Sequence, residues 1–184
     1  MELSIVVCTF NRCSFLKSGL DEIIRQILSI NNSDIELIIV DNNSIDNTSE
    51  LVENYKKLNP NISILYFLEK NQGISFSRNR AIKESNGNFI AFIDDDAVIN
   101  ENWLVSLIDA INHIDAQVFG GPIYPNFEIP CPDWIDSNYY VRKFLKKNGY
   151  LKGLDLELGF SGGNMCFNKK IFNEIGVFNT NLGM

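Results

Sequence analysis

The sequence predicts an α/β protein, a Rossmann-like three-layer sandwich whose central sheet is mostly parallel. Two observations predict it. Short aliphatic runs alternate with longer segments whose apolar residues recur every three or four positions. The short runs are apolar throughout rather than at every second position, as in strands buried on both faces by covering helices. At 184 residues the chain fits one ordinary domain and can build a core without a metal or disulfide staple.

The elements follow in order. Ser4–Cys8 is the first strand, and Leu16, Leu20, Ile23, Ile24 and Ile27 then mark a helix. Ile35–Val40 has the length of a buried strand. Asn47 and Glu50 fit an N-cap and its partner three residues on, opening a helix to about Leu58, with Pro60 just beyond. Ile62–Leu68 is a third strand and Ile74–Ser85 a third helix, closed by Asn86-Gly87. Asn88–Ile93 is a fourth strand ending in three aspartates. Asn100 is expected to cap a helix from Glu101 to Ile114, and Gln117–Tyr124 to form a fifth strand.

From Pro125 the pattern breaks. Three prolines crowd Pro125–Pro132, aromatic residues interleave with charges, and Asp133–Lys147 allows one helix. Pro125–Leu158 is therefore expected to be a long excursion over the sheet, of the kind that is usually functional. Met165–Phe167 reads as a further strand and Lys169–Ile175 as a short helix stopped by Gly176.

Sixteen basic residues against 23 acidic ones give a net charge of −7, which argues against a nucleic-acid partner. No stretch approaches the roughly 20 apolar residues of a membrane helix, and Glu2 stands where a signal peptide would be basic. Cys8, Cys13, Cys131 and Cys166 form no CxxC pair and read as buried free thiols of a reducing compartment. His113 falls near the end of its helix, off the apolar face, and reads as a surface residue.

In such a sheet, ligands bind beyond the carboxyl ends of the strands. After the first strand come Thr9, Phe10, Asn11 and Arg12: a hydroxyl, an aromatic face, an amide and a guanidinium. They suit a base and a phosphate, or simply a solvated turn. After the second come Asp41, Asn42, Asn43 and Ser44, either turn formers or hydrogen-bonding partners of a ligand. After the third come Asn71-Gln72-Gly73, then Arg78 and Arg80, which fit surface charges or phosphate contacts. Asp94-Asp95-Asp96 after the fourth is more pointed. Three adjacent carboxylates repel one another, and folding gives no reward for that, whereas a hard divalent cation does. Neither GxGxxG nor GxxxxGK[ST] is present, so a dehydrogenase fingerprint and a P-loop are absent.

Taken in order, Ser4–Arg12, Ile38–Ser44, Asn71-Gln72-Gly73 with Ser77-Arg78-Asn79, and Phe92–Asp96 resemble the nucleotide-binding half of family 2 glycosyltransferases, which have the GT-A fold. Gly162-Gly163-Asn164-Met165 and Ile175-Gly176-Val177-Phe178 resemble that family's acceptor-side segment. The resemblance implies sugar transfer, with inversion, from a nucleoside diphosphate sugar of UDP, dTDP or GDP type to a carbohydrate or lipid-linked acceptor. It implies residues 1–124 as the donor half and 125–184 as an acceptor-side segment incomplete at its C-terminus. Thr9 and Phe10 would line the base pocket with Asn11 and Arg12 beside them; Asp41 and Asn42 would read base and ribose; Arg78 would lie near the diphosphate. Asp94, Asp95 and Asp96 would form the DxD motif of the nucleotide-sugar site, with Asp95 toward ribose and sugar and Asp96 holding Mg2+ or Mn2+, and Gly162, Gly163 and Asn164 would floor the acceptor side. The work of such enzymes implies a cytoplasmic setting or the inner face of the membrane.

Two departures stand out. The second motif carries Asn42 where many members have an acid, which weakens a choice of UDP over dTDP or GDP. The only carboxylate after Asn164 is Glu174, read as structural, so the general base is expected beyond Met184 and the chain by itself is expected to be inactive. Two other readings remain at this point: a non-catalytic nucleotide-sugar-binding module, and a HAD-type phosphatase using Asp94 and Asp96, though no adjacent acidic pair follows Val98 to complete a phosphatase metal site.

Overall fold

The computed structural model describes residues 2–30, 34–127, 130, 132, 134 and 161–182. In chain order the elements are β1 (Leu3–Thr9), α1 (Cys13–Ile30), β2 (Ile35–Asp41), α2 (Thr48–Leu58), β3 (Ser63–Leu68), α3 (Ile74–Glu84), β4 (Phe89–Asp94), α4 (Trp103–His113), β5 (Val118–Gly120), β6 (Asn164–Asn168) and α5 (Ile171–Ile175). The expected helix within Asp133–Lys147 and most of the Pro125–Leu158 excursion lie outside the described residues.

The six strands form one sheet in the order β3-β2-β1-β4-β6-β5. β1 to β4 run parallel, while β6 runs antiparallel to both β4 and β5. β1 and β2 are buried almost throughout, which is why they are apolar without alternation. The residues of β1 at Leu3, Ile5 and Val7 pack with α1, α2 and α4, and Val6 packs on the other face with Ala81 and Ile82 of α3. That second face also carries Phe92, Phe167, Phe172 and Phe178 in edge and tilted ring contacts. Helices on both faces give the expected three layers.

The strand order turns back between β1 and β4: the chain moves outward from β1 to β2 and β3, then crosses to the other side. Ligand crevices in open α/β sheets form at such a point, beyond the carboxyl ends. Thr9 is level with Asp41 across β1 and β2, and Cys8 with Asp94 across β1 and β4. The loops named from the sequence therefore converge on one edge of the molecule.

Helix starts differ from the sequence reading. Asn47 holds the N-cap position of α2 but makes no side-chain cap bond; instead Asp46 accepts from the Thr48 amide and hydroxyl at 3.1 and 2.5 Å, and from the Cys13 amide at 2.9 Å. One carboxylate thus fixes the entry of two helices, and these bonds outweigh burial to hold it below its ordinary pKa. α4 starts later than expected, and the buried Gln26 of α1 supplies its first turn: Oε1 accepts from the Leu104 amide and Nε2 donates to the Asn100 carbonyl. β5 is three residues long rather than eight. Gly121 and Pro122 end it, since proline has no amide for the ladder and a Cβ on Gly121 would stand 2.6 Å from Asn164 Nδ2.

At the opposite, amino end of the strands, Glu36 of β2 is buried and accepts from the Ser4 hydroxyl, the Asn86 amide and Asn86 Nδ2. Gly87 passes so close to β1 that a Cβ would meet the Ser4 nitrogen at 2.6 Å. These contacts seat the α3–β4 turn and, through it, the height of β4 in the sheet.

Candidate functional site

The β1–α1 turn begins the site. Thr9 is buried at the end of β1, and its hydroxyl donates to Asp95 Oδ2 at 2.7 Å. Phe10 is 44% exposed, an aromatic face turned to solvent at the crevice. Asn11 adopts φ +54°, a left-handed conformation that asparagine tolerates, and its side chain accepts from the Ile45 amide while its own amide donates to Ser44. This clips the β1–α1 and β2–α2 loops together and presents Arg12. Arg12 Nη1 reaches Asp96 Oδ2 at 2.8 Å and Asp95 Oδ1 at 3.3 Å.

After β2, Asp41 is buried, accepting from the Ser44 amide and, at 2.7 Å, from the Tyr66 hydroxyl. Asn42 donates to the Glu69 and Asn71 carbonyls and accepts from the Gly73 amide. Gly73 sits at φ +130°, open to glycine, as it hands the chain to α3. Asp41 and Asn42 therefore bind the β2–α2 and β3–α3 loops to each other along the rim.

α3 brings in Arg78. Its guanidinium lies over the rings of Phe92 at 5.9 Å and Phe178 at 5.5 Å, an apolar cradle with some cation–π attraction. Phe178 is held in place by Asn79, which exchanges both main-chain hydrogen bonds with it. Arg78 Nη2 donates to the Gly162 carbonyl at 3.3 Å and stands 4.0 Å from Asp94 Oδ1. Arg80, by contrast, turns to Glu84 and the Phe67 ring.

β4 ends in the aspartates. Asp95 is buried; Asp94 and Asp96 have half-exposed side chains. Burial pushes the Asp95 carboxyl above its ordinary pKa, the Thr9 hydroxyl and Arg12 pull it back, and the Asp96 charge adds to the rise. Burial also raises Asp94, with Arg78 opposing and the Asp96 and Asp95 charges adding. The site thus holds more negative charge than its two arginines and one hydroxyl neutralise.

β6 completes the floor. Asn164 pairs with Ile93 in register, and its Oδ1 accepts from the Trp103 indole at 3.1 Å. The two glycines before it are there for space. A Cβ on Gly162 would lie 2.4 Å from Arg78 Nη2, and one on Gly163 would lie 2.4 Å from Asp94 Oδ2.

The residues named from the sequence for the donor and acceptor sides thus stand on the carboxyl edge of the sheet. Glu174 does not: α5 follows the Asn168 end of β6, which is level with Phe89, so Glu174 is a strand's length from Asp94. Two residues with a part in the site were not singled out: Trp103 orients Asn164 and Tyr66 orients Asp41, while Ser44, named after the second strand, clips Asn11. A polar-tipped aromatic inside an otherwise apolar strand was the available signal for Tyr66; Trp103 gave none, because its partner lies 61 positions away.

Of the four thiols expected to be buried, Cys166 is buried, Cys8 and Cys13 are half-buried, and Cys131 lies outside the described residues. Cys8, Cys13 and Cys166 are free, and burial pushes Cys8 and Cys166 up to about 12, so neither is a thiolate at neutral pH. His113 is exposed at the end of α4, beside Asp109.

The carboxylates have the chemistry of a partial site for a hard cation. Among the described residues no group of three His, Cys, Asp or Glu side chains encloses a metal. One or two oxygens from Asp96 and Asp94, completed by phosphate oxygens and water, is nevertheless the usual way of holding Mg2+. The donor set therefore fits Mg2+ or Mn2+ arriving with a diphosphate, and not a closed structural metal.

Fold and site together define an α/β protein with a charged crevice at its topological switch point. The family model "Glycosyl transferase family 2" matches residues 4–176, and the chain belongs to that family. A glucosyl-dolichyl phosphate glucuronosyltransferase of Haloferax volcanii is 26% identical over 184 residues, all of this chain and 58% of that protein. A GalNAc(5)-diNAcBac-PP-undecaprenol beta-1,3-glucosyltransferase of Campylobacter jejuni is 35% identical over 121 residues, 65% of this chain and 37% of that protein. The chain thus spans only part of the length of these relatives. The crystal structure of S. aureus TarS 1-349 superposes with a TM-score of 0.75 at 19% identity, covering 100% of this chain and 52% of that one. A mannosyltransferase of Pyrobaculum calidifontis in complex with GDP-Man and Mn2+ superposes with a TM-score of 0.67 at 18% identity, over 98% of this chain and 48% of that one. The fold is GT-A. No described helix is long and apolar enough to cross a membrane.

Proposed function

We propose that this chain forms the donor side of a glycosyltransferase that moves a sugar from a nucleoside diphosphate to a hydroxyl of a glycoconjugate acceptor, with inversion. The observation that carries the reading is the junction of β1 and β4, where Thr9 and Arg12 meet Asp95 and Asp96. Residues 1–124 contribute the nucleotide side, and 125–184 contribute the acceptor side through Gly162, Gly163 and Asn164. The names of the relatives, which act on dolichyl and undecaprenyl carriers, favour a lipid-linked saccharide as acceptor.

In the transfer, the acceptor oxygen bonds to the anomeric carbon as the bond to the diphosphate breaks, and the leaving group keeps the electron pair. Phe10 offers a stacking face to the base. Asp95, held by Thr9, accepts from ribose or sugar hydroxyls. Arg78, fixed between two phenylalanines, faces the diphosphate and takes up the charge that grows on it. Asp96, with Asp94 beside it, would hold Mg2+ or Mn2+, which supplies positive charge against the leaving group when bound. Asn164 and the Gly162-Gly163 backbone set the distance between acceptor and sugar. The acceptor hydroxyl must lose a proton, and Glu174 is at the wrong end of the sheet to take it. The base is therefore proposed to be a residue other than Glu174.

Calorimetry with UDP, dTDP and GDP, with and without Mn2+ or Mg2+, tests this reading. Binding of at least one, strengthened by metal, is expected. Asp96→Ala should remove the metal-dependent part, and Phe10→Ala should weaken binding in either condition. Failure of all three nucleotides to bind ends the donor-site reading. Sugar transfer by residues 1–184 that is lost in Glu174→Gln would make Glu174 the base.

A further inference from the structure

Arg12 has a second task that phosphate contact alone does not describe. Its Nη1 bridges Asp95 Oδ1 at 3.3 Å and Asp96 Oδ2 at 2.8 Å, so one guanidinium nitrogen lies between the two carboxylates. That is where a cation shared by the aspartates would lie. Around them stand Asp94, with Arg78 at 4.0 Å, and Thr9, which donates to Asp95; among the described residues no third arginine or lysine is in ion-pair contact with the triplet. Arg12 is 51% exposed, and both ion pairs are made by that one nitrogen, so the side chain can leave without disturbing the core.

We propose that Arg12 is an internal counter-cation: it holds Asp95 and Asp96 while the site is empty of donor, excludes a bare divalent ion, and moves onto the diphosphate when nucleotide and metal arrive together. This rests on the donor-site reading above and adds an order of events to it. Two cations cannot share Asp96 Oδ2, because a guanidinium and a divalent ion at about 3 Å repel strongly even at the protein surface. A metal alone must therefore displace Arg12 and receives no compensating charge. A nucleoside diphosphate brings that charge, and its oxygens suit the planar fork of a guanidinium better than a single carboxylate oxygen does. Metal and nucleotide then bind cooperatively, and by linkage each raises the other's affinity by the same factor. Asp95 stays with Thr9 throughout.

The test is Mn2+ binding to residues 1–184 without nucleotide, read by electron paramagnetic resonance of free Mn2+ or by calorimetry. Arg12→Gln is expected to bind Mn2+ alone about threefold to tenfold more tightly than the wild type, and Arg12→Lys, which keeps the charge, to stay within about twofold of it. In a second arm, the factor by which Mn2+ strengthens UDP binding should shrink in Arg12→Gln by a similar amount. Melting curves check that the variants fold, as expected for an exposed side chain. Mn2+ affinity in Arg12→Gln equal to or below that of the wild type, including no measurable binding by either, overturns the proposal. The donor-site reading fails by a different result, the absence of nucleotide binding to the wild type, so the two are separable.

Discussion

Replacing Gly163 by alanine is the most direct probe of how the site is built. The glycine is not needed for an unusual backbone angle; it is needed because Asp94 lies over it. An added Cβ would be 2.4 Å from Asp94 Oδ2, 3.0 Å from its Cγ and 3.4 Å from Ile123 Cδ1. Ordinary contact starts near 3.4 Å, so the carboxyl must move by about 1 Å. Asp94 is half exposed and can swing outward, so the fold should lose no more than about 1–2 kcal/mol. A misplacement of that size at a reacting centre costs about 100-fold. For nucleotide binding, where Asp94 is one contact among several, about tenfold is expected. The assay is calorimetry with the nucleotide that binds best, alongside a denaturant melt. Gly176→Ala is the control: its φ is +79° with nothing within 4 Å, so it should cost about 1 kcal/mol of stability and leave binding alone. If the Cβ acts through Asp94, adding Gly163→Ala to Asp94→Ala should bring little further loss. Full binding by Gly163→Ala, or full additivity of the pair, would refute the reasoning.

Other outcomes follow from the same geometry. Glu36→Gln should cost about 2–4 kcal/mol, since the amide nitrogen faces hydrogen-bond donors in a buried site. The pH dependence has a definite sign: the donors, opposed by burial, hold Glu36 below its ordinary 4.5, so its stabilisation is complete above that value and fades as pH falls below it. Urea titrations from pH 3 to 6 should show this slope weakened in Glu36→Gln. Asp95 runs the other way. Its raised pKa means that ionisation destabilises the fold as pH rises above its ordinary 3.8, so Asp95→Asn should be less destabilising near pH 7 than near pH 3. Trp103→Phe removes the indole bond to Asn164 and should cost about 1 kcal/mol in melts; with acceptor turnover in a full-length protein, it should raise KM for acceptor more than for donor.

Much of the fold was legible because burial on both faces writes itself into sequence. The runs at Ile5–Val7, Leu37–Val40 and Ile90–Ile93 have no polar position, and the α1 stripe has one period throughout. Direction was not legible. Met165–Phe167 reads as an apolar strand, but nothing in three apolar residues says that β6 runs against β4. Helix starts were legible only where the capping group was local. Asp46 serves α2 from two residues away, yet it also serves α1 from 33 positions away, and Gln26 serves α4 from 78. Asn47 stands at the N-cap position of α2 without a side-chain bond, which its neighbour Asp46 makes instead, and Asn100 accepts from the Asn102 amide while the distant Gln26 takes the Leu104 amide.

The contrast between Glu36 and Asp95 separates what folds the chain from what the site is for. Both are buried acids, and both accept hydrogen bonds from a hydroxyl on β1: Ser4 at the amino end, Thr9 at the carboxyl end. Glu36 ends with a lowered pKa, because the Asn86 amide and side chain add to Ser4 and no other acid is near enough to oppose them. Asp95 ends with a raised one because burial outweighs the Thr9 hydroxyl and the arginine that reaches it, and the Asp96 charge adds to the rise. A sheet that can satisfy a buried carboxylate with local donors at one end does not need to leave three carboxylates short of positive charge at the other. The deficit suits a group that brings positive charge in from solvent, and it is on Asp94–Asp96 that the proposed metal and donor role rests.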